Sequence, residues 1–129
     1  MNLFYAGYMN WTLLLLFAAA LALVTVLRHA RLLSTRAARE HLRNGALIID
    51  VRSAVEYAAG HLPKVIHMPL DQIEAGIPNR VPNKDTVLLL YCQSGMRSGA
   101  AKRKLKALGY MHAFNLGSLT RAGRIVAGK

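Results

Sequence analysis

No Lys, Arg, Asp or Glu occurs before Arg28. The stretch ahead of it ends in the run Trp11-Thr-Leu-Leu-Leu-Leu-Phe-Ala-Ala-Ala-Leu-Ala-Leu-Val-Thr-Val-Leu27. Extended back to Leu3 it covers about 25 residues, with Gly7, Asn10 and Thr12 among its few small or polar positions. A helix needs roughly 20 apolar residues to cross a hydrocarbon core about 30 Å thick. The sequence therefore predicts a transmembrane anchor over residues 1–27. Tyr5, Tyr8 and Trp11 sit at its amino-terminal end, where amphipathic rings favour the headgroup level. A secretory signal peptide fits less well. There is no basic stretch ahead of the apolar run, and the cleavage-like Ala20-Leu21-Ala22 is followed at once by apolar Leu23 to Leu27. A buried core helix would carry a polar stripe, and none is present.

Arg28, Arg31, Arg36, Arg39 and Arg43 all follow the span, and no Lys or Arg precedes it. The positive-inside rule then puts the amino terminus outside and the remainder in the cytoplasm. Residues 28–33 read as a basic juxtamembrane linker, and the five arginines either face anionic lipid or form an ordinary solvated face. A chain of 129 residues leaves room for one small domain, here 34–129. The 102 residues from Arg28 onward carry every charged side chain, 17 Lys and Arg against 6 Asp and Glu, for a net charge of +11. At 53% hydrophobic the chain is too apolar for a disordered basic tail. The cations are spread between the membrane flank and one helix without interleaved aromatics, so no nucleic-acid partner is expected. The single Cys92 excludes an internal disulfide framework and a Cys-rich zinc site. The five histidines show no metal-ligand spacing, and no cofactor is called for.

Ser34 or Thr35 can cap a short helix that stops at Asn44-Gly45, before a buried strand over Ala46–Val51. A helix follows from Ser53 to Gly60, then a strand over Val65–Met68 closed by Pro69. Asp71 is a candidate N-cap for one or two helical turns, and Pro78, Asn79, Pro82 and Asn83 predict a loop. Thr86–Tyr91 is the clearest strand. After the Cys92 loop, Ser98–Leu108 reads as a helix stopped by Gly109, and Ala113–Leu116 as a last strand. Strands alternating with helices, the strands apolar throughout, predict an α/β domain with a small, mostly parallel sheet flanked by helices.

Ligands of open α/β sheets gather at the carboxyl ends of strands, where Cys92 falls. A loop opening into a helix aims several backbone N–H groups into one small volume, and the dipole there favours negative charge. Gly95 permits the bend, and Arg97 adds a cation. A cysteine so placed has a lowered pKa and serves as a nucleophile.

Asp50-Val51-Arg52, Glu56-Tyr57-Ala-Ala-Gly60-His61-Leu62-Pro63, Ile66-His67-Met68-Pro69 and Tyr91-Cys92-Gln-Ser-Gly95-Met-Arg97-Ser98 occur in this order. Together they resemble the rhodanese-domain family from about residue 34 to Gly117. The resemblance implies a sulfurtransferase in which Cys92 takes a sulfane sulfur from a donor such as thiosulfate. The persulfide would be held by the loop Gln93, Ser94, Gly95, Met96, Arg97 and Ser98. It would then pass to cyanide, a thiol or a protein sulfur carrier. Arg97 and Lys102 would attract the anionic donor. Four residues separate Cys92 from Arg97. Cysteine phosphatases have five, so the tighter loop favours a single sulfur atom over a phosphate. Asp50 and Arg52 either line the site or form local ion pairs, Glu56 lying four positions beyond Arg52. His61 is expected to be a scaffold residue, and His67 and His112 neighbours of strands.

Two departures stand out. Lys64 occupies a turn position that is usually Gly in the family. The carboxyl-terminal tryptophan is missing and its connection is about three residues short, which predicts a shortened or absent final helix. The competing function is a noncatalytic, membrane-tethered binding module built on the same domain, in which Cys92 is idle.

Overall fold

Alternation along the strands explains the architecture. In the computed structural model, which describes residues 10–128, four strands form one parallel sheet in the order β2-β1-β3-β4. They are β1 Leu47–Asp50, β2 Val65–His67, β3 Leu88–Cys92 and β4 Ala113–Ser118. Successive side chains on a strand point to opposite faces. Ile49, Leu88 and Leu90 therefore share one core with Ile73, Ile77, Ala101 and Leu105, and Ile48, Leu89 and Tyr91 share the other with Ala38, Ala122 and Ile125. Burial on both faces is why these strands read as unbroken apolar runs.

Each connection is helical, as parallel pairing requires. The elements are α1 Trp11–Ala30, α2 Thr35–Arg43, α3 Ala54–Ala59, α4 Ile73–Arg80, α5 Met96–Ala107 and α6 Leu119–Ala127. Helices α4 and α5 cover one face, α2 and α6 the other. The chain divides into two compact units between Ala30 and Arg31. In the first, α1 is 20 residues long with none buried, a length of about 30 Å at 1.5 Å per residue. It is long and apolar enough to cross a membrane. Tyr5, Tyr8 and Gly7 lie outside the described residues.

The helix expected from Ser53 to Gly60 is α3, and Ser53 caps it, its hydroxyl accepting from Glu56 N–H while the Glu56 side chain accepts from Ser53 N–H. Asp71 is no N-cap; it sits inside a 3-10 turn, Leu70–Gln72, that leads into α4. Pro78 and Asn79 are helical rather than looped, because α4 buries Ile73 and Ile77 completely and keeps its exposed proline. The final helix is present. Ser118 caps α6 through Arg121 N–H, and Ala122 and Ile125, one turn apart, bury its inner face without a tryptophan.

Lys64 keeps the turn that glycine would make, at φ +55°, the one described non-glycine residue at positive φ. An L side chain there costs about 1–2 kcal/mol, against about 0.5–1 kcal/mol of extra chain entropy lost with glycine. Lys64→Gly is therefore expected to stabilise the chain by about 0.5–1 kcal/mol, measurable as a raised midpoint in urea.

Candidate active site

The strand order reverses direction between β1 and β3, so connections leave from their carboxyl ends to opposite sides and open a crevice. Asp50 ends β1 and Cys92 ends β3 at that point. Beyond Cys92 the chain turns through Gly95, at φ +94°, into the first turn of α5. The helix starts at Met96, two residues before the sequence suggested, which brings its unsatisfied amides to the sulfur. A Cβ on Gly95 would lie 3.1 Å from Gly117 Cα, so glycine is needed for close approach as well as for conformation.

Cys92 is fully buried, and its Sγ accepts a hydrogen bond from Gly95 N–H at 2.9 Å. Ser98 Oγ lies 3.5 Å away. Burial pushes the thiol up, but the Ser98 hydroxyl and the N–H groups of Ser98, Gly95 and Ser94 together outweigh it, so the pKa falls below the ordinary thiol value. The rate of alkylation by iodoacetamide should accordingly rise with pH about a midpoint below that of free cysteine. Ser98→Ala should move that midpoint up. An unchanged midpoint would remove Ser98 from the site.

Asn115 belongs to this cradle and was missed in the sequence. A register shift between Leu90 and Tyr91 pairs Leu90 with Asn115 and Tyr91 with Gly117, leaving Leu116 as the extra residue. The buried Asn115 amide accepts from Ser98 Oγ at 2.7 Å and from Gly117 N–H at 2.9 Å, and donates to Gly95 O at 3.0 Å. It thus braces both ends of the cysteine loop. A polar amide inside the otherwise apolar Ala113–Leu116 was the available signal.

The two arginines are occupied. Arg97 makes a two-pronged pair with Glu56 at 2.6 and 2.8 Å, and the same guanidinium also interacts with the Cys92 sulfur. Hydrogen bonds from Arg97 and Ser53 hold the Glu56 carboxyl well below the usual carboxylate range. Glu56 therefore pairs across 41 positions of sequence with Arg97, and not with Arg52. Arg52 forms a buried pair with Asp50 at 2.8 Å and also donates to Gly60 O and Gln93 Oε1. Tyr91 O–H donates to Asp50 at 2.7 Å. Asp50 and Arg52 are thus an ion pair that also supports the site, through Gln93. Arg52, Glu56, Gly60, Gln93 and Leu119 line a shallow cleft of about 300 Å³.

Among the other expected residues, Met96 points outward, 66% exposed, and Ser94 is exposed. Lys102 does not line the cleft; its charged neighbours are Lys106 and Arg31. His61 donates from Nδ1 to Tyr57 O, His67 donates from Nε2 to Arg52 O, and both rings stack on Tyr57. Their setting is that of scaffold residues.

A parallel α/β domain with a cysteine cradled by backbone amides at the switch point and a helix N-terminus is an arrangement that favours an anionic sulfur or a bound anion. Residues 34–120 match the rhodanese-like domain, and the chain belongs to that family. It is 38% identical over 71 residues to the thiosulfate sulfurtransferase PspE of Escherichia coli, covering 55% of this chain and 68% of that one. It is 36% identical over 69 residues to the putative sulfur carrier protein YrkF of Bacillus subtilis, covering 54% of this chain and about a third (36%) of that protein. Among solved structures, a rhodanese with anions from E. coli superposes at a TM-score of 0.58 and 35% identity, over 60% of this chain and 91% of that one. These relatives carry names from sulfur transfer.

Proposed function

We propose that this chain is a membrane-anchored sulfurtransferase that carries one sulfane sulfur on Cys92. The observation that carries the reading is the buried thiol with Gly95 N–H at 2.9 Å and a pKa below the ordinary value. In the first step the Cys92 thiolate attacks the outer sulfur of a donor such as thiosulfate. The Sγ–S bond forms, the donor S–S bond breaks, and sulfite leaves with the electron pair. The outer sulfur of the persulfide is then an anion or near-anion, and preorganised backbone donors stabilise it. In the second step cyanide, a thiolate or a carrier thiol attacks that outer sulfur and releases the Cys92 thiolate. No oxidant or reductant beyond donor and acceptor is needed.

The four-residue spacing between Cys92 and Arg97 supports sulfur over phosphate as the transferred group. Arg52 is tied to Asp50, while Arg97, paired with Glu56, also faces Cys92 and adds positive charge beside the backbone amides that hold the sulfur. The apolar helix α1 and the arginines that follow it support a single-pass anchor with the amino terminus outside and the folded unit in the cytoplasm. The test is the intact mass of the full chain, purified in detergent, after thiosulfate treatment. A gain of one sulfur atom that cyanide reverses is the expected result. A folded chain that gains nothing would overturn the reading.

A further inference from the structure

We propose that a collar of five cations, Arg31, Lys102, Lys106, Arg121 and Arg124, rests on an anionic lipid surface and holds the Cys92 loop near the membrane boundary. This rests on the reading of α1 as a span. The collar surrounds a short strap, residues 31–34, by which the chain joins the folded unit. Leu33 N–H donates to Asn115 O at 3.0 Å on the open edge of β4, and Arg121 donates to Leu33 O at 2.7 Å and to Leu116 O. The strap is therefore fixed to the sheet rather than loose. On its α5 side, Lys102 lies within the electrostatic reach of Arg31 and Lys106. On its α6 side, Arg121, Arg124, Thr35 and Ile125 line a second cleft, of about 210 Å³.

Neither the strap, α5 nor α6 carries a carboxylate. The three ion pairs among the described residues use Asp50, Glu56 and Glu74, and Glu74 draws Lys104 to the other side of α5. The collar thus concentrates positive charge without a carboxylate of its own, a field that attracts an anionic surface. Covalent geometry favours lipid over nucleic acid, since the apolar helix ends one residue before the strap and Arg28 lies in its last turn. The aromatics nearest these cations in sequence, Tyr110 and Phe114, are packed against the cores rather than free to stack bases. The strap also touches the site: Leu32 packs where a Gly117 side chain would begin, and Gly117 backs Gly95 of the cysteine loop. A bilayer against the collar therefore lies beside the sulfur, so that donor or acceptor would be met at the membrane surface.

The test places the full chain in nanodiscs of phosphatidylcholine alone or mixed with phosphatidylserine. An amine-reactive reagent then labels the lysines for mass analysis. Each cation near an anionic leaflet favours contact by about fivefold, so labelling of Lys102 and Lys106 should fall about threefold or more in the mixed discs. High salt should restore it, and Lys64, before the opposite edge strand, should not change. The pair Lys106→Glu and Arg124→Glu should lose the protection while the chain stays in the discs. Equal labelling in both discs, with the chain incorporated, would overturn the collar. Protection that appears only when duplex RNA is added would overturn it in favour of a nucleic-acid face. A chain that fails to enter phosphatidylcholine discs would overturn the span, yet salt-sensitive binding to the mixed discs would still uphold the collar.

Discussion

Replacing Cys92 by serine is expected to abolish persulfide formation and to lower sulfur transfer by about 10³-fold or more, because the nucleophile itself is removed. The substitution is a fair one for assigning the loss to chemistry. A serine oxygen is close in size to the buried sulfur and can still accept the Gly95 N–H. Cys92→Ser should therefore fold, which circular dichroism and an unchanged urea midpoint would confirm. Turnover of thiosulfate and cyanide is the measurement. Full transfer by this variant would end the proposal, since the chain has no second cysteine to take the sulfur.

The second large effect falls on stability. Asp50→Ala should cost about 3–5 kcal/mol, because it leaves the Arg52 guanidinium buried, at 2% exposure, without its counter-charge. Tyr91 O–H loses its acceptor at the same time. Against a total stability of about 5–15 kcal/mol this is a severe loss. Removing both charges with Asp50→Ala and Arg52→Met should restore a substantial part of it, since no orphaned ion is left. Urea unfolding of the full chain in detergent measures both. The pH dependence has a definite sign. Burial pushes the Asp50 carboxyl up, but the Arg52 and Tyr91 hydrogen bonds outweigh it and bring the pKa below the ordinary value. The pair therefore contributes fully above the carboxylate range and is lost as pH falls through that lowered pKa. If Asp50→Ala unfolds at the urea concentration of the parent, the pair is not what holds the crevice together.

The strands and the cysteine loop were legible in the sequence because their signals are local. An apolar run such as Thr86–Tyr91 declares a buried strand, and a glycine three residues past Cys92 declares the turn. The helix from Ser53 to Gly60 was legible for the same reason, though its cap, Ser53 with Glu56, is seen only in the structure. Contacts between distant segments were not legible. Glu56 looked like a partner of Arg52 four positions away, and only the folded chain brings Arg97 to it. The role of Asn115 depends on a bulge that no single residue announces. Pro78 misled because a proline signals a loop wherever tertiary burial is unknown. The last helix misled in the opposite sense: attention to an absent tryptophan hid the cap at Ser118 and the spacing of Ala122 and Ile125.

Cys92 is the chain's sole thiol, and it lies buried behind Gly95 and Ser98. No partner cysteine exists to close an internal disulfide, so a sulfur once loaded can leave only to another molecule. Under the proposed transfer the capacity would be one atom per chain, and loading and unloading would alternate, as in ping-pong kinetics. The same arithmetic applies to damage. If peroxide converts the thiolate to a sulfenic acid, the chain has nothing of its own with which to reverse it. Recovery then depends on the surrounding thiol pool, and the rate of sulfur flow becomes a readout of that pool.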